Sequence, residues 1–415
     1  MTPLMFLKFK YTIAVVSLCF VAMPLLVQAA SPLDGLKLGP SDWPWWRGPQ
    51  RNGNAASEET PPLKWDTETN VVWKAPIPGR GHGSPIIVGD HVYLVSADET
   101  NEIQYALCFD RKTGAELWRR ELHRGGFNAS GDRQGNAKST KASSTMACDG
   151  EHLFTTMFNS DAIHLTSLSM DGEILWQKKV SDYIVHQGYG ASPTIYGPLV
   201  IAVADNKGGG AVVAFNRNTG EEVWTHKRPA TANYASPVIL NANGKDQLFF
   251  IGCEVVTSLD PLTGKVNWEV PGSTTECVTS TVTDGKSIVT SGGYPKQHTT
   301  VMKADGSGDI VWTNGTKSYV PSLLLKDNEL YAVTDNGVAI CYDFQTGKVL
   351  WRGRLSGDFT SSPVLVDDKI FVTNETGETF IFKATPKNMC HLERTNWVTN
   401  AMPPPLLSAI RFSHE

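Results

Sequence analysis

The fold of this chain is decided by a six-residue pattern that occurs four times. Its copies are Thr113-Gly114-Ala115-Glu116-Leu117-Trp118, Thr219-Gly220-Glu221-Glu222-Val223-Trp224, Thr263-Gly264-Lys265-Val266-Asn267-Trp268 and Thr346-Gly347-Lys348-Val349-Leu350-Trp351. An Asp or Asn stands three residues before each threonine, and weaker copies end at Trp176 and Trp312. A Thr-Gly turn between apolar runs is typical of a β-hairpin. A repeat with this period indicates one supersecondary unit per copy, stacked on its neighbours.

A pair of small residues marks the other half of each unit. The pairs precede alternating apolar residues, and their second members lie 41 to 60 residues apart: Ser84-Pro85, Ser144-Thr145, Ser192-Pro193, Ser236-Pro237, Ser280-Thr281, Pro321-Ser322 and Ser362-Pro363. A small strand start suits a strand close to a central axis, where bulky side chains would collide. We therefore expect four short strands per unit, with the innermost strand beginning at the small pair.

The tryptophans suit the outer end of each unit. One indole ring can fill the wedge between two diverging sheets, and its full burial contributes on the order of 3 kcal/mol. Because wedges repeated around an axis make a β-propeller, the sequence predicts an all-β propeller of four-stranded blades. The tryptophans assigned to the docking of neighbouring blades are Trp118, Trp176, Trp224, Trp268, Trp312 and Trp351.

The pattern A-x-D-x-x-T-G-x-x-x-W resembles the tryptophan-docking motif of quinoprotein-type propellers. That group includes pyrroloquinoline quinone (PQQ) dehydrogenases and the outer-membrane assembly lipoprotein BamB. The segment 43–49, Trp-Pro-Trp-Trp-Arg-Gly-Pro, and the body from about residue 65 to 386 resemble more narrowly the exported PQQ-binding-like repeat proteins of planctomycete-type bacteria. The resemblance implies eight blades. It is specific for the fold and much less specific for function.

The end of the chain does not match the eight-bladed expectation. Seven inner-strand starts are visible, and the run 71–74 is expected to be an outermost strand that completes the last blade. The inner strands of that blade should follow residue 386, but the alternation stops at Asn388. Either the last blade is incomplete or the propeller has seven blades. The tail is either divergent or read in a shifted frame, and sequencing the locus would separate these two explanations.

The chain is therefore divided into a signal peptide (1–29), an N-terminal strap (30–64), the propeller (65–387) and an atypical tail (388–415). Lys8 and Lys10 precede an apolar run and small residues around a cut after Ala29, which is typical of a secretory signal. An uncleaved anchor is the alternative, but the run is short for a bilayer and Pro24 interrupts it. We expect an exported protein of the periplasm or cell envelope, with no membrane span after cleavage.

Charge and cysteine usage exclude several classes of protein. The chain has 42 acidic and 37 basic residues, so nucleic acid is not an expected partner. The cysteines beyond the signal form no CxxC pair, which argues against a zinc site or a redox dithiol, and no disulfide is assigned. Cys108 and Cys341 occupy equivalent positions in the repeat, where other copies carry Ala or Ser, and we predict that both are small buried thiols.

The loops of a propeller bring distant residues together at one face. The loops that enter each inner strand and the loops that join the second and third strands gather around the channel, where their side chains could bind a polar ligand or a peptide. Asp and Asn in these loops also suit tight turns, whereas Glu276 and His82 do not, so these two are the first to test. The candidate binding residues are His82, Tyr189, Asp205, Asn233, Tyr234, Glu276, Tyr319 and Asp335.

No catalytic residue or metal ligand is assigned, because HExxH, GxSxG and phosphate-loop motifs do not occur. The preferred function is a non-catalytic binding or scaffold module in the cell envelope, similar to the assembly factor. Its partners are envelope proteins or an unidentified polar ligand, and no cofactor is predicted. The resemblance also implies an alternative, a quinoprotein dehydrogenase with PQQ and calcium. The short chain, the lack of adjacent cysteines and the lack of a clear calcium-ligand set argue against it.

A third function class binds or processes extracellular glycans. In that class Trp43, Trp45 and Trp46 would stack on sugars, and the alternative is that they pack a strap against the side of the propeller. The insertion 119–141, rich in Gly, Ser, Asn and charge, is predicted to be a surface loop that can cap the channel.

Overall fold

A computed structural model describes residues 35–55, 61–66, 69–128, 135–136, 138–396 and 406–410. Contacts join Pro32–Glu415 into one compact unit, and the predicted signal peptide lies outside the described residues. The described residues form strands, turns and irregular loops, and none of them is helical. Nothing in this part of the chain is therefore a helix of the length and apolarity that crossing a membrane requires.

Antiparallel sheets follow one another along the chain, each with its strands in chain order. The first strand, β1 (Val71–Pro76), precedes them. Sheet 1 contains β2 (Ile86–Val88), β3 (His91–Asp98), β4 (Ile103–Asp110) and β5 (Glu116–Arg124). Sheet 2 contains β6 (Ala147–Cys148), β7 (His152–Asn159), β8 (Ala162–Ser169) and β9 (Ile174–Asp182). Sheet 3 contains β10 (Thr194–Tyr196), β11 (Leu199–Val203), β12 (Gly210–Asn216) and β13 (Glu222–Arg228).

Four further sheets continue this pattern. Sheet 4 contains β14 (Val238–Ala242), β15 (Lys245–Gly252), β16 (Val255–Leu259) and β17 (Val266–Pro271). Sheet 5 contains β18 (Ser287–Gly292), β19 (His298–Lys303) and β20 (Ile310–Asn314), and its inner strand is reduced to one bridge between Thr283 and Ile288. Sheet 6 contains β21 (Leu324–Lys326), β22 (Glu329–Val333), β23 (Val338–Asp343) and β24 (Val349–Arg354). Sheet 7 contains β25 (Val364–Val366), β26 (Lys369–Thr373), β27 (Glu378–Lys383) and β28 (His391–Asn396). This architecture confirms the predicted all-β propeller.

Strands continue past the predicted end of the propeller. β28 pairs with β27 along the edge of sheet 7, so this sheet extends beyond the boundary drawn at Lys387. Backbone pairing does not require side-chain alternation, which is why the loss of alternation at Asn388 did not mark the end of the sheet. The last strand, β29 (Leu406–Ile410), pairs with β1 in a two-stranded sheet. The number of blades in the closed ring stays a prediction.

The hydrophobic core lies between neighbouring sheets. The second strands β3 and β7 are buried along almost their whole length, whereas the outer strands β5 and β9 are mostly exposed. Because the sheets pack face to face, apolar side chains of successive sheets share clusters. One cluster joins Phe154 of sheet 2, Ile201 of sheet 3 and Leu248 of sheet 4.

Each docking tryptophan lies on a turn of the next sheet. Trp118 of sheet 1 packs on Gly172 of sheet 2 and donates its indole N–H to the carbonyl of Met170 at 3.0 Å. A Cβ atom at Gly172 would lie 2.8 Å from the indole, so this close approach requires glycine. Trp351 of sheet 6 donates its indole N–H to the carbonyl of Thr385, which follows the third strand of sheet 7, at 2.7 Å. The contact with glycine recurs at Trp73 and Gly114, Trp176 and Gly220, Trp224 and Gly264, Trp268 and Gly306, and Trp312 and Gly347.

The strand pairing shifts register beside these tryptophans. Cys108 pairs with Trp118 but Phe109 pairs with Glu116, so Leu117 is an extra residue on β5. The bulge turns Leu117 outward, which explains why this apolar side chain is 48% exposed. The same shift occurs before Trp176, Trp224, Trp268, Trp312 and Trp351.

The residue opposite the indole is Val at Trp312 and is small at the five other docking tryptophans, where two of these residues are cysteines. Cys108 pairs with Trp118, and Cys341 pairs with Trp351. Both thiols are buried and free, as the repeat predicted. Burial raises the pKa of each thiol to about 12, so neither forms a reactive thiolate near neutral pH.

The small strand starts form a belt of hydrogen bonds around the channel. In this belt the backbone N–H at the start of one inner strand donates to the side-chain hydroxyl of the next. A hydroxyl at this position satisfies a buried N–H, so the site requires Ser or Thr and not merely a small side chain. The bonds are 2.9 to 3.0 Å long and run from Ser84 to Thr145, Thr145 to Ser192, Ser192 to Ser236, Ser280 to Ser322 and Ser322 to Ser362.

Residues 43–55, which we call the plug, lie against these inner strands. Trp43 forms a bridge with Ile87 of sheet 1, and Asn54 forms a bridge with Leu365 of sheet 7. The indole N–H of Trp46 donates to Oγ of Ser280 at 2.8 Å. The expectation that the strap packs on the side of the propeller is therefore wrong, because its polar groups find partners among the inner strands.

Two arginines fix the plug. Arg47 donates to the carbonyls of Pro363 and Leu323 at 2.7 and 2.6 Å. Arg51 donates to Oγ1 of Thr194 at 3.1 Å and to the carbonyl of Ile195 at 2.7 Å. The plug thus contacts inner strands that are far apart in the sequence.

Candidate functional site at the entry loops

The two loop sets predicted to share a face are in contact. In sheet 5, the backbone N–H of Glu276 donates to the carbonyl of Tyr294 at 2.9 Å, and Tyr294 lies between β18 and β19. In sheet 6, the carboxylate of Asp335 accepts the backbone N–H groups of Tyr319 and Val320 at 2.8 and 3.1 Å. These bonds position each entry loop against the loop between the second and third strands.

Four side chains from the entry loops of sheets 3 to 6 meet at one point. We call His186, Tyr234, Glu276 and Tyr319 the mouth cluster. The hydroxyl of Tyr319 donates to Oε2 of Glu276 at 2.9 Å. Nδ1 of His186 lies 3.3 Å from Oε1 of Glu276 and 3.0 Å from the hydroxyl of Tyr234. Three of these residues were candidates from the sequence, and the structure brings them together.

The charge of Glu276 defines the electrostatics of the cluster. This residue is 4% exposed, and within the described chain the basic side chain within 4 Å of its carboxylate is His186, not a lysine or arginine. Burial raises the pKa of the Tyr234 and Tyr319 hydroxyls, and the nearby Glu276 carboxylate adds to the increase. Both phenols therefore remain neutral hydrogen-bond donors. The cluster is a buried acceptor surrounded by aromatic rings, which suits a cationic or hydrogen-bond-donating group.

Asp205 and Asn233, two other candidates, belong to a buried latch between sheets 3 and 4. Nε and Nη2 of Arg228 bind the two carboxylate oxygens of Asp205 at 3.0 and 3.2 Å. The Asn233 amide donates to Asp205 at 3.0 Å and to the carbonyl of Ile251 at 2.9 Å, and it accepts the N–H of Cys277 at 2.9 Å. Burial alone would lower the pKa of Arg228, but Asp205 raises it above its usual value. The latch therefore holds loops together and leaves little capacity for a ligand.

The remaining candidates lie apart from the mouth cluster. The hydroxyl of Tyr189 donates to the carbonyl of Val203 at 2.9 Å, and its ring packs on Tyr183. His82 is exposed, and partial desolvation together with Arg80 lowers the pKa of its imidazole. Asp335 holds the entry loop of sheet 6, as described above. Tyr189 thus packs in the interior, His82 lies in an exposed loop, and Asp335 anchors a loop.

Residues 119–124 of the predicted insertion continue β5 and pair with β4, so the prediction of a loop is wrong for this part. The described residues beyond β5 reach other loops of the same face. Nζ of Lys138 lies 2.8 Å from Oε1 of Glu375 in sheet 7, and the backbone N–H of Asn136 donates to the carbonyl of Gln187 at 2.9 Å. Residues 129–134 and 137, and with them the central part of the predicted cap, lie outside the described residues.

His186 is the functional candidate that sequence reasoning missed. The candidate taken from the entry loop of sheet 3 was Tyr189, three positions after it. A usable signal was present, because a histidine in an entry loop is not explained by turn formation, the same argument that singled out His82.

PQQ with calcium would need several oxygen ligands and a pocket of cofactor size at this face. No group of three or more His, Cys, Asp or Glu within the described residues could hold a metal ion. A cavity beneath residues 139–143, lined also by Phe158 and Tyr189, has a volume of about 30 Å³. A water molecule needs a cavity of roughly 10–15 Å³, so this one has room for about two water molecules, whereas cofactor pockets typically enclose roughly 300–1,000 Å³. The cavity at this place is therefore too small for a quinone cofactor.

The sheets, seams and channel define a β-propeller of the quinoprotein type. A family model described as "Outer membrane protein assembly factor BamB" matches residues 102–296 and 296–385, which is more than half of the chain. The chain belongs to this family, and the predicted PQQ-like, BamB-like repeat assignment is confirmed. The narrower resemblance to planctomycete-type members stays a prediction.

Individual relatives agree with the family assignment. The outer membrane protein assembly factor BamB of Burkholderia pseudomallei (strain K96243) is 27% identical over 303 residues, which cover 69% of each chain. A europium-containing methanol dehydrogenase has a similar structure, with a TM-score of 0.64, 13% identity and 86% of each chain covered. BamB from Moraxella catarrhalis superposes with a TM-score of 0.55 and 14% identity, over 79% of this chain and 88% of that chain. Because the fold is shared by a dehydrogenase and an assembly factor, it does not select between these activities.

Proposed function

We propose that this protein is a non-catalytic, exported β-propeller that binds proteins of the cell envelope through its entry-loop face. Membership of a family described as an outer membrane assembly factor supports this proposal. The signal predicted at residues 1–29 supports a location in the periplasm or cell envelope. No cofactor is part of the proposal.

The observation that carries the proposal is the mouth cluster. A buried carboxylate, two half-buried phenols and an imidazole come from four successive entry loops, next to Tyr294, whose side chain is 58% exposed. Tyrosines and a desolvated polar group beside an exposed aromatic residue are typical of the energetic centre of a protein interface. Loops held by the latch and by Asp335 present these groups with little loss of conformational entropy on binding.

The two alternative functions have less support in the geometry. A quinoprotein dehydrogenase would share the fold, but Asp205 is already engaged by Arg228, and Asp335 by backbone N–H groups. Glycan stacking would need exposed indole faces. Trp45 is 1% exposed, and the guanidinium of Arg51 lies 4.4 Å above its ring.

Site-specific photocrosslinking in the envelope tests the proposed surface. A photoreactive amino acid replaces Tyr294 in one variant and Leu262 in another, because Leu262 is also exposed, at 47%, but lies in the turn between β16 and β17. We expect a discrete protein adduct at position 294 that is lost when Glu276→Gln is added, and no such adduct at position 262. Equal adducts at both positions would contradict binding through the entry loops.

The same purified chain also tests the dehydrogenase alternative. It is mixed with PQQ and Ca²⁺ and assayed for bound quinone absorbance and for dye reduction with alcohols. We expect neither signal. Stoichiometric quinone binding with dye reduction would replace the scaffold function with an enzymatic one.

A further inference from the structure

The plug contains buried hydrogen-bond donors without acceptors. Trp45 is 1% exposed, and its indole N–H has no partner among the described residues. Nε of Arg47 is also buried without a partner in the described structure. Arg51 is 4% exposed and uses its Nε and Nη2 groups for Thr194 and Ile195. A buried donor normally has an acceptor, so the Trp45 N–H beside Arg51 calls for an unidentified one.

Arg51 also has no ion-pair partner among the described residues, although its guanidinium lies over the Trp45 ring. Its two partners are a hydroxyl and a carbonyl, both neutral, and the part of the chain that the structure describes places no carboxylate within 4 Å of it. Burial lowers the pKa of Arg51 to about 10, and Asp246 offsets only part of this decrease. Arg228 and Arg217, in contrast, pair with Asp205 and Asp149 at 3.0 and 2.8 Å. Buried charges are as a rule paired, so an anion is the expected partner of Arg51.

A small cavity lies beside these donors. It has a volume of about 10 Å³ and is lined by Trp45, Trp46 and Arg51 of the plug and by residues 192–194 and 236–238 of the inner strands. The hydroxyl oxygens of Ser192 and Ser236 accept belt hydrogen bonds, so their hydrogens remain free to donate. This lining therefore offers an indole N–H, a guanidinium and two hydroxyl donors.

We propose that this cavity binds one monovalent, monatomic anion of chloride size, held by Arg51, the indole N–H of Trp45 and the hydroxyls of Ser192 and Ser236. The volume is roughly that needed for one atom-sized species, and a tetrahedral anion such as sulfate or phosphate would need a larger one. Water would satisfy the donors but would leave the guanidinium charge unbalanced. The anion would join the plug to sheets 3 and 4, so its binding stabilises the assembled channel.

The unfolding temperature of the full chain in sodium gluconate, chloride and bromide at equal ionic strength tests this site. Because a ligand that binds the folded state stabilises it, low-millimolar halide should raise the unfolding temperature by about 3 °C relative to gluconate and then saturate. Trp45→Phe keeps the ring over Arg51 but removes the N–H, and we expect it to lose at least half of the shift. The control Trp176→Phe removes a seam N–H bonded to the carbonyl of Arg217 and should keep the whole shift.

Crystals grown in sodium bromide locate the ion directly, and this measurement does not depend on any variant folding. We expect an anomalous bromide peak between Trp45, Arg51 and Ser236. An unfolding temperature that is the same in gluconate and bromide would overturn the proposal. So would a halide effect without a peak in the cavity, because the ion would then bind elsewhere.

Discussion

Asp205 and Glu276 are two buried carboxylates at the same face of the propeller, and their surroundings are opposite. Both are 4% exposed. Asp205 faces a fully buried guanidinium and an amide, whereas Glu276 faces a phenol and an imidazole that is 30% exposed. The difference teaches that burial alone does not identify a binding group. Asp205 has a counter-charge and joins two sheets, whereas Glu276 lacks a buried cation and is able to accept a hydrogen bond from a partner.

Removing the counter-charge of Asp205 should produce the largest effect. We expect Arg228→Leu to lower the free energy of unfolding by about 4 kcal/mol, because a buried carboxylate is then left without a cation. Glu276→Gln, measured beside it by urea denaturation, should lower this free energy by less than about 1 kcal/mol, since no buried cation loses its partner.

The double variant Asp205→Asn/Arg228→Leu tests whether the latch stabilises the protein through charge. Removing both charges should recover at least half of the stability that Arg228→Leu loses. If the double variant is as unstable as the single one, the latch acts through packing of the Arg228 side chain and not through charge.

A seam tryptophan gives the next largest effect and an uncharged reference for the latch. Trp351 is 8% exposed, packs against Tyr331 and Phe382, and donates to Thr385. We expect Trp351→Ala to lower the free energy of unfolding by about 3 kcal/mol, through lost burial and an unpaired carbonyl. Trp351→Phe should retain more than half of this stability in the same urea titration. If both substitutions are neutral, the indole does not hold sheets 6 and 7 together.

The seams were predictable from the sequence because their physics is local and repeated. A turn glycine and the tryptophan that packs on it recur with the sheet period, since every wedge between sheets has the same shape. The bulge before each tryptophan was not predicted, because the exposed Leu117 and Val223 have the same apolar character as buried strand residues. The belt was predicted only in part. Small residues at the axis were expected for steric reasons, whereas their hydroxyls also satisfy buried N–H groups.

The contacts around the channel could be predicted less well, because they join residues that are not at equivalent positions of the repeat. Tyr234, Glu276 and Tyr319 were found as members of entry loops, but their convergence with His186 depends on four separate loops. Asp205 was a binding candidate because it lies in a loop between the second and third strands. Its pairing with Arg228, at the end of β13, could not be predicted, since Arg228 belongs to no motif. The plug repeats nothing, so its partners on the inner strands had no signal in the sequence.

A histidine pair at the seam of sheets 1 and 2 extends the comparison of Asp205 and Glu276 to a buried group that is neutral in the folded chain. His123 and His164 have ring centres 5.3 Å apart, and Nδ1 of His123 is buried without a partner in the described structure. Burial, with a smaller effect of His164, lowers the pKa of His123 to about 4. At pH values between this pKa and the ordinary value near 6.5, the imidazole is protonated in the unfolded chain and neutral in the folded chain. The free energy of unfolding therefore falls as the pH falls.

We expect the free energy of unfolding to decrease by about 1–2 kcal/mol between pH 7 and pH 5 because of His123. His123→Gln should remove that part of the decrease in urea titrations, and His391→Gln, at an exposed position, should leave it unchanged. An identical decrease in the His123→Gln variant would assign the acid sensitivity to other groups.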